Sequence, residues 1–324
     1  MIKLNPKLFK EDIEQEPTRF GYGRGLVAAG KENPNVVALC ADLTDSTKTS
    51  DFKKEFPERF IEVGIAEQNM ASLAAGLAAA GKIPFIASYA MFSPGRNWEQ
   101  IRTTICYNNV NVKIGGAHAG VSVGPDGATH QAIEDIAIMR VVPNITVMVP
   151  CDSIETEKAT IAAAKIKGPV YLRFSREKTP VITTKEASFK IGKAEIFREG
   201  KDVSIIACGP LVYEALKAAE ELQKEGIEAE VINNHTIKPM DAETILGSVK
   251  KTGCSVTVEE HQKAGGMGSA VCEILAQNYP APAEIIGVQD RFGESGEPNE
   301  LLKEFHLVAE DIIKAVKKVI GRKK

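Results

Sequence analysis

Two segments of the chain bring together side chains that could move protons or hold an anion. In IEVGIAEQNM, residues 61–70, an apolar, strand-like start runs into the small-residue, helix-like ASLAAGLAAAG, with Glu67, Gln68 and Asn69 at the junction. Two readings fit Glu67. A carboxylate in the first turn of a helix is stabilised by the helix dipole by roughly 0.3–1 kcal/mol and needs no other role. A carboxylate held among Val63, Ile65 and Leu73 would instead be desolvated, and could share a proton with a ring nitrogen. These residues alone leave the choice open.

The second segment is GGAHAGVSVGPDGATHQAIED, residues 115–135, which carries two of the chain's five histidines, His118 and His130, together with Asp126. It follows an apolar strand-like run, and loops at the carboxyl ends of strands are where open α/β sheets bind ligands. The plainer account is a turn at Asp126-Gly127 with Thr129 capping the next helix. Both can hold, since capping leaves the imidazoles free. Two glycine clusters raise the question of nucleotide phosphates. GYGRG, residues 21–25, precedes the first clear strand and so cannot form a strand-to-helix phosphate turn. AGGMGS, residues 264–269, follows a strand, but its spacing departs from GxGxxG, and close helix packing is the better account.

The elements that must position these groups alternate. VVALCAD, a helix after Ile65, PFIASY, a helix near Trp98, NVKIGGA, a helix after His130, NITVMVP, a helix after Ser153 and PVYLRF imply a mainly parallel sheet with helices on both faces. The polar, Pro-containing stretch from Ser175 to Asp202 reads as a connection, and the boundary is placed near Phe189. A second α/β pattern follows: DVSIIACG, LVYEALKAAEELQKEG, AEVINN, CSVTVEE, SAVCEILAQN, EIIGVQ and a charged terminal helix. The expected fold class is therefore α/β in two domains, residues 1–188 and 189–324, each a mainly parallel sheet flanked by helices.

Bulk properties exclude several roles. A formal net charge of -3 offers no basic field for nucleic acid. The most apolar stretch, near residues 70–81, is too short to span a membrane, and the N-terminus has no apolar signal-peptide core, so a cytoplasmic protein is expected. Six scattered cysteines without a CxxC pair read as buried, reduced thiols.

EVGIAEQNMASLAAGLAAAGKIPF, SYAMF and GVSVGPDGATHQAIEDIAIMRVVPNITVMVPCD together closely resemble the pyrimidine-binding domain of transketolase, over about Thr18 to Arg176. NNHTIKPMD and TVEEHQKAGGMGSAV are similar to the C-terminal domain of the same thiamine-diphosphate superfamily. The resemblance implies that Glu67 hydrogen-bonds the aminopyrimidine of thiamine diphosphate and favours the imino tautomer that deprotonates the thiazolium carbon. It makes Phe92 and Tyr89 the stacking wall and Asp42 a further cofactor contact. A third wall aromatic found in some members would fall at Gly95, so that part is missing. The resemblance also places His118 near a sugar phosphate, Asp126 at a substrate hydroxyl, and His130 beside the reacting carbons as a catalytic group. Arg19, Ser46 and Arg176 match the other phosphate-binding positions. Two guanidiniums, a hydroxyl and an imidazole suit a dianion through charge-assisted bonds.

Members of the family grip the diphosphate and its metal through a GDG motif followed by an asparagine, which this sequence does not contain; PDG at 125–127 belongs to the substrate loop. The resemblance therefore implies a split transketolase. A separate N-terminal subunit would carry the diphosphate-binding domain and the ligands for Mg2+ or Ca2+, no metal ligand would lie on this chain, and a homodimer of it would form the core of an α2β2 heterotetramer acting on sugar phosphates. The rivals are a 1-deoxyxylulose-5-phosphate synthase, which typically has arginine where His118 stands, and a 2-oxoacid dehydrogenase β subunit, which generally lacks the DGxTH pattern. A non-catalytic scaffold would have lost Glu67 or the aromatic wall, and an unrelated nucleotide-binding oxidoreductase would need a well-placed GxGxxG.

Overall fold

The computed structural model describes residues 4–323. Runs such as VVALC and VSIIA are apolar but for Ser204 because both faces of their strands are covered, and every residue of Val36–Cys40 and Val203–Ala207 is buried. The helices between them bury one stripe: in Leu211–Lys224 the buried positions are Leu211, Val212, Ala215, Leu216, Ala218, Ala219 and Leu222, the spacing of one helical face.

Two large sheets result, as the alternation predicts, beside a two-stranded one. The first has seven strands in the order Thr236–Lys238, Thr146–Met148, Val170–Arg173, Lys113–Ala117, Ile83–Tyr89, Val36–Cys40, Phe60–Glu62, parallel except for the first. The second has five, in the order Ala283–Val288, Ser255–Gln262, Val203–Ala207, Ala229–Asn233, Glu195–Arg198, with only the last antiparallel. The connecting stretch contributes the edge strand Glu195–Arg198 and the strand Lys178–Pro180, which pairs with Gln15–Pro17. The strand Thr236–Lys238 was not expected. It lies in the second half of the sequence, yet it closes the edge of the first sheet by pairing with Thr146–Met148.

Both glycine clusters serve packing. GYGRG lies within the helix Thr18–Glu32, which its glycines hide in the sequence pattern, and a side chain at Gly21 would overlap the Ser153 carbonyl of the helix Ser153–Lys165. At Gly25 a Cβ would stand 2.7 Å from the Glu157 carbonyl oxygen. AGGMGS leads into the helix Met267–Asn278, where the buried Glu259 carboxylate accepts the Met267 and Gly268 N–H groups at 2.7 and 2.8 Å. A helix N-terminus that could have received a phosphate is thus already filled by a carboxyl group of the same chain.

The two sheets are tied by buried polar groups. Arg173 Nε donates to Asp135 Oδ2 at 2.8 Å, Tyr171 donates its hydroxyl to the same oxygen at 2.7 Å, and Arg173 Nη2 reaches the Glu260 carbonyl of the second sheet at 2.8 Å. Burial alone would lower the Arg173 pKa, but Asp135 and Glu260 outweigh it and hold the guanidinium charged.

Candidate functional site

The candidate residues come from the carboxyl ends of adjacent parallel strands. Asp42 and Ser46 follow Val36–Cys40, Glu67 follows Phe60–Glu62, Tyr89 and Phe92 end Ile83–Tyr89 and its turn, His118, Asp126 and His130 follow Lys113–Ala117, and Arg176 follows Val170–Arg173. Arg19 joins them from the first turn of Thr18–Glu32.

Glu67 opens the helix Glu67–Ala79 and is 1% exposed. Its surroundings differ from those expected: Ile65 and Leu73 are exposed, so the apolar flank does not enclose it. Its neighbours are polar. Ser88 Oγ donates to Oε1 at 3.4 Å, and Arg96 Nη1 to Oε2 at 2.6 Å. Asn97 Nδ2 anchors the start of the helix by donating to the Glu67 carbonyl at 3.0 Å. A helix dipole and an ion pair can both stabilise this carboxylate, and neither accounts for withdrawing it from water while its cation stays on the surface.

Four rings stand beside it. Tyr89 stacks on His118 at 4.0 Å and on Phe92 at 5.9 Å, and His130 meets Phe92 edge-on at 5.4 Å. At Gly95, where the third aromatic is missing, a side chain would overlap the Met91 carbonyl, so this backbone has no room for one. The next residue takes up the position over the wall: the Arg96 guanidinium lies 4.5 Å from the Phe92 ring centroid. Arg96 is a planar N–H donor that both stacks on Phe92 and bonds Glu67. A buried carboxylate beside an aromatic face already receives a planar N–H donor here, and an aminopyrimidine offers the same combination of face and donors, so the residues present fit the pyrimidine end of thiamine diphosphate. Arg96, Ser88 and Asn97 carried no periodic or motif signal in the sequence.

Around the histidines the groups are charged and incompletely paired. Arg19 Nη1 donates to the Ser46 carbonyl at 3.1 Å and stands 3.5 Å from His118 Nε2, while His118 Nδ1 and Arg19 Nε are buried without a partner. Arg176 Nη1 donates to the Val123 carbonyl at 2.8 Å and to Asp126 Oδ1 at 3.3 Å. The structure therefore links Arg19 with Ser46 and His118, and Arg176 with Asp126, and the Arg176 charge is felt by both Arg19 and His118. Thr129 does not cap the following helix; its hydroxyl pairs with His130 Nδ1 at 2.9 Å, and Asp135–Arg140 begins without a side-chain cap. Asp42 is exposed, and its backbone N–H donates to Glu62 Oε1 at 2.7 Å. His118 has φ +54°, a left-handed backbone that non-glycine residues adopt mainly where their surroundings impose it. Among the described residues no group of three or more His, Cys, Asp or Glu is placed to hold a metal ion, and no helix is long and apolar enough to cross a membrane. All six cysteines are unpaired, five of them buried.

Burial, with the charges of Arg19, Arg176 and His130, lowers the His118 pKa from 6.5 to about 3. The ring is then neutral at physiological pH and can approach a dianion as a neutral donor, beside guanidiniums that carry the charge. The unfolded chain takes up a proton at this residue as pH falls through 6.5, and the folded chain does not until about 3. Its effect on stability is therefore absent above pH 6.5 and becomes a growing penalty as pH falls toward 3. Nitrogen-15 spectra of the ligand-free chain should find His118 neutral at pH 5; a midpoint near 6.5 would show that the ring is solvated.

Comparison with known proteins fits this geometry. The family model described as "Transketolase, pyrimidine binding domain" matches residues 15–181, and "Transketolase, C-terminal domain" matches residues 192–312. The chain belongs to the transketolase family. It is 48% identical over 301 residues to a protein of Methanocaldococcus jannaschii called "Putative transketolase C-terminal section", covering 92% of this chain and 94% of that one. It is 42% identical to the "6-deoxy-6-sulfo-D-fructose transketolase subunit SqwH" of Clostridium sp., over 97% of this chain and 98% of that protein. A solved structure described as "Split gene transketolase, inactive beta4 tetramer" superposes with a TM-score of 0.89 at 48% identity, covering 95% and 99% of the two chains.

Proposed function

We propose that this chain is the C-terminal subunit of a split, thiamine-diphosphate-dependent transketolase that transfers a two-carbon ketol unit from a ketose phosphate to an aldose phosphate. A separate subunit with the diphosphate-binding domain and the Mg2+ or Ca2+ ligands would complete it, around a homodimer of this chain in an α2β2 assembly in the cytoplasm. The observation that carries this reading is the juxtaposition of the withdrawn Glu67 carboxylate, the Tyr89–Phe92 wall, and the Arg19 guanidinium beside the neutral His118 ring, each with one buried nitrogen left without a partner. The near full-length match to a transketolase C-terminal section, and the likeness to a split-gene transketolase chain that is inactive as a β4 tetramer, support a chain that needs a partner.

Bound thiamine diphosphate supplies an electron sink for breaking a carbon–carbon bond. The chain's own residues would prepare that chemistry. Glu67 Oε2, released from Arg96, holds a proton at the pyrimidine ring in a pocket shielded from water. Phe92 and Tyr89 fix the plane of that ring, and Asp42 provides a polar edge. His130 moves a proton at the reacting hydroxyl, and Asp126 accepts a hydrogen bond from a neighbouring one. Arg19, Ser46, His118 and Arg176 hold the terminal anion. The relative that acts on a sulfonated sugar, matched over nearly its whole length, supports a substrate with a terminal oxyanion.

The direct test is whether a protein with the diphosphate-binding domain co-purifies with this chain and restores ketol transfer; tight, Mg2+-dependent cofactor binding by this chain alone, read by calorimetry, would overturn the split arrangement. In the reconstituted enzyme Arg176→Ala should cost roughly 1.5–3 kcal/mol of transition-state binding for a phosphorylated acceptor, and much less for an acceptor without phosphate. Equal losses for both acceptors would mean that Arg176 supports the loop through Val123 and Asp126 instead.

A further inference from the structure

In a parallel α/β sheet a ligand crevice opens where successive crossovers leave to opposite sides. In the second sheet that point lies beside Val203–Ala207, which has Ala229–Asn233 on one flank and Ser255–Gln262 on the other. The ladder between Val203–Ala207 and Ser255–Gln262 ends at Ala207 and Val258, so Glu259, Glu260 and His261 run on past their neighbour. What meets them there is a piece of the first domain, the turn Val121–Val123 in the middle of the substrate loop.

The contact is specific. Glu260 is 3% exposed, and its Oε1 accepts the Ser122 N–H at 2.6 Å. Gly120, at φ +91°, leaves the space that the carboxyl fills, since any side chain there would overlap it. Val121 belongs to the same buried cluster as Val203, Ile205, Val256, Val258 and Leu301 of the second domain. Gln131 Nε2 closes the loop from the other end by donating to the Val121 and Glu294 carbonyls, each at 2.9 Å. Burial raises the Glu260 pKa against the opposing influence of the Arg173 charge and of the Ser122 N–H. His118 lies four positions upstream of Ser122 and Asp126 four downstream.

We infer that Glu260 is a positioning residue for the substrate loop: from the second domain, its carboxyl fixes the turn between His118 and Asp126 and thereby sets where His118 and Asp126 meet the sugar. The ligand class rests on the proposed function, but the positioning itself does not. Hydrogen exchange read residue by residue on the isolated chain tests it first. In Glu260→Ala the Ser122 amide should exchange about 10-fold faster or more, with the amides of residues 255–258 unchanged, and Glu260→Gln should retain most of the protection because its amide oxygen can still accept. If Glu260→Ala does not fold, Glu260→Asp keeps the charge, withdraws the acceptor by one methylene, and should give the same local loss. In the enzyme reconstituted with its partner subunit, Glu260→Ala should raise KM for a phosphorylated aldose about 10-fold while kcat changes by no more than a few-fold, with Glu260→Gln restoring it. An unchanged Ser122 amide, acceleration spread equally over residues 255–258, or an unchanged KM beside a freed amide each overturns the inference. A freed Ser122 amide in a complex that transfers no ketol unit supports the positioning and removes the proposed function.

Discussion

Glu67→Gln should lower turnover of the complete enzyme by at least about 10²-fold while fold and assembly persist. The substitution preserves volume and leaves an oxygen that can accept from Ser88, which bonds Oε1 at 3.4 Å. It removes the charge that pairs with Arg96 at 2.6 Å, and with it the ability to exchange a proton with a ring nitrogen. Loss of that pair should cost little stability, because the Arg96 side chain is 46% exposed and water can take over its hydrogen bonds. Turnover alone would not isolate the step. Hydrogen–deuterium exchange at the thiazolium carbon of the bound cofactor, measured without sugar, should slow in parallel. Wild-type exchange beside reduced turnover would remove Glu67 from the activation step, and wild-type values for both would leave it a helix-start carboxylate with a surface partner.

Asp135→Ala should be the most destabilising single change among the polar residues, by about 3–5 kcal/mol. Asp135 and Arg173 side chains are 1% and 4% exposed, and removing the carboxylate leaves a guanidinium and the Tyr171 hydroxyl without their shared acceptor. Burying the pair is itself no guarantee of stability, since its Coulomb gain has to offset the desolvation of both ions. Urea unfolding should show a lower midpoint with an unchanged slope, and Asp135→Ala combined with Arg173→Met should recover part of the loss because the guanidinium that lost its bonded carboxylate is gone. A loss under about 1 kcal/mol in the single variant would show that water reaches Arg173.

The fold was legible where apolar period and strand length agree. VVALC, PFIASY and DVSIIACG could be read because each is a largely apolar, β-branched run bounded by turn residues. Thr236–Lys238 could not, since three residues with an alternating pattern look like any loop, and its partner lies 88 positions away at Thr146–Met148, Thr236 facing Met148. The helix Thr18–Glu32 was hidden by its own glycines, which lower helix propensity and were retained for the close approach to Ser153–Lys165. At the site, the motif residues declared themselves through a known pattern, whereas their supports did not. Arg96 follows SPG in a polar turn, and Glu260 sits in a strand 138 positions from Ser122, whose turn it holds. Side chains that act through another residue carry no spacing rule of their own.

The antiparallel strand Thr236–Lys238 makes the two halves poor candidates for independent life. Cutting the polypeptide at the polar connection would strip the first half of its outermost ladder and bare the backbone of Thr146–Met148, a sticky rim prone to pairing with other molecules. Chimaeras that exchange the carboxyl-terminal part between relatives would have to match this three-residue clasp as well as the visible surface, and recombination across this sequence is expected to be tolerated only where both sides of the clasp travel together.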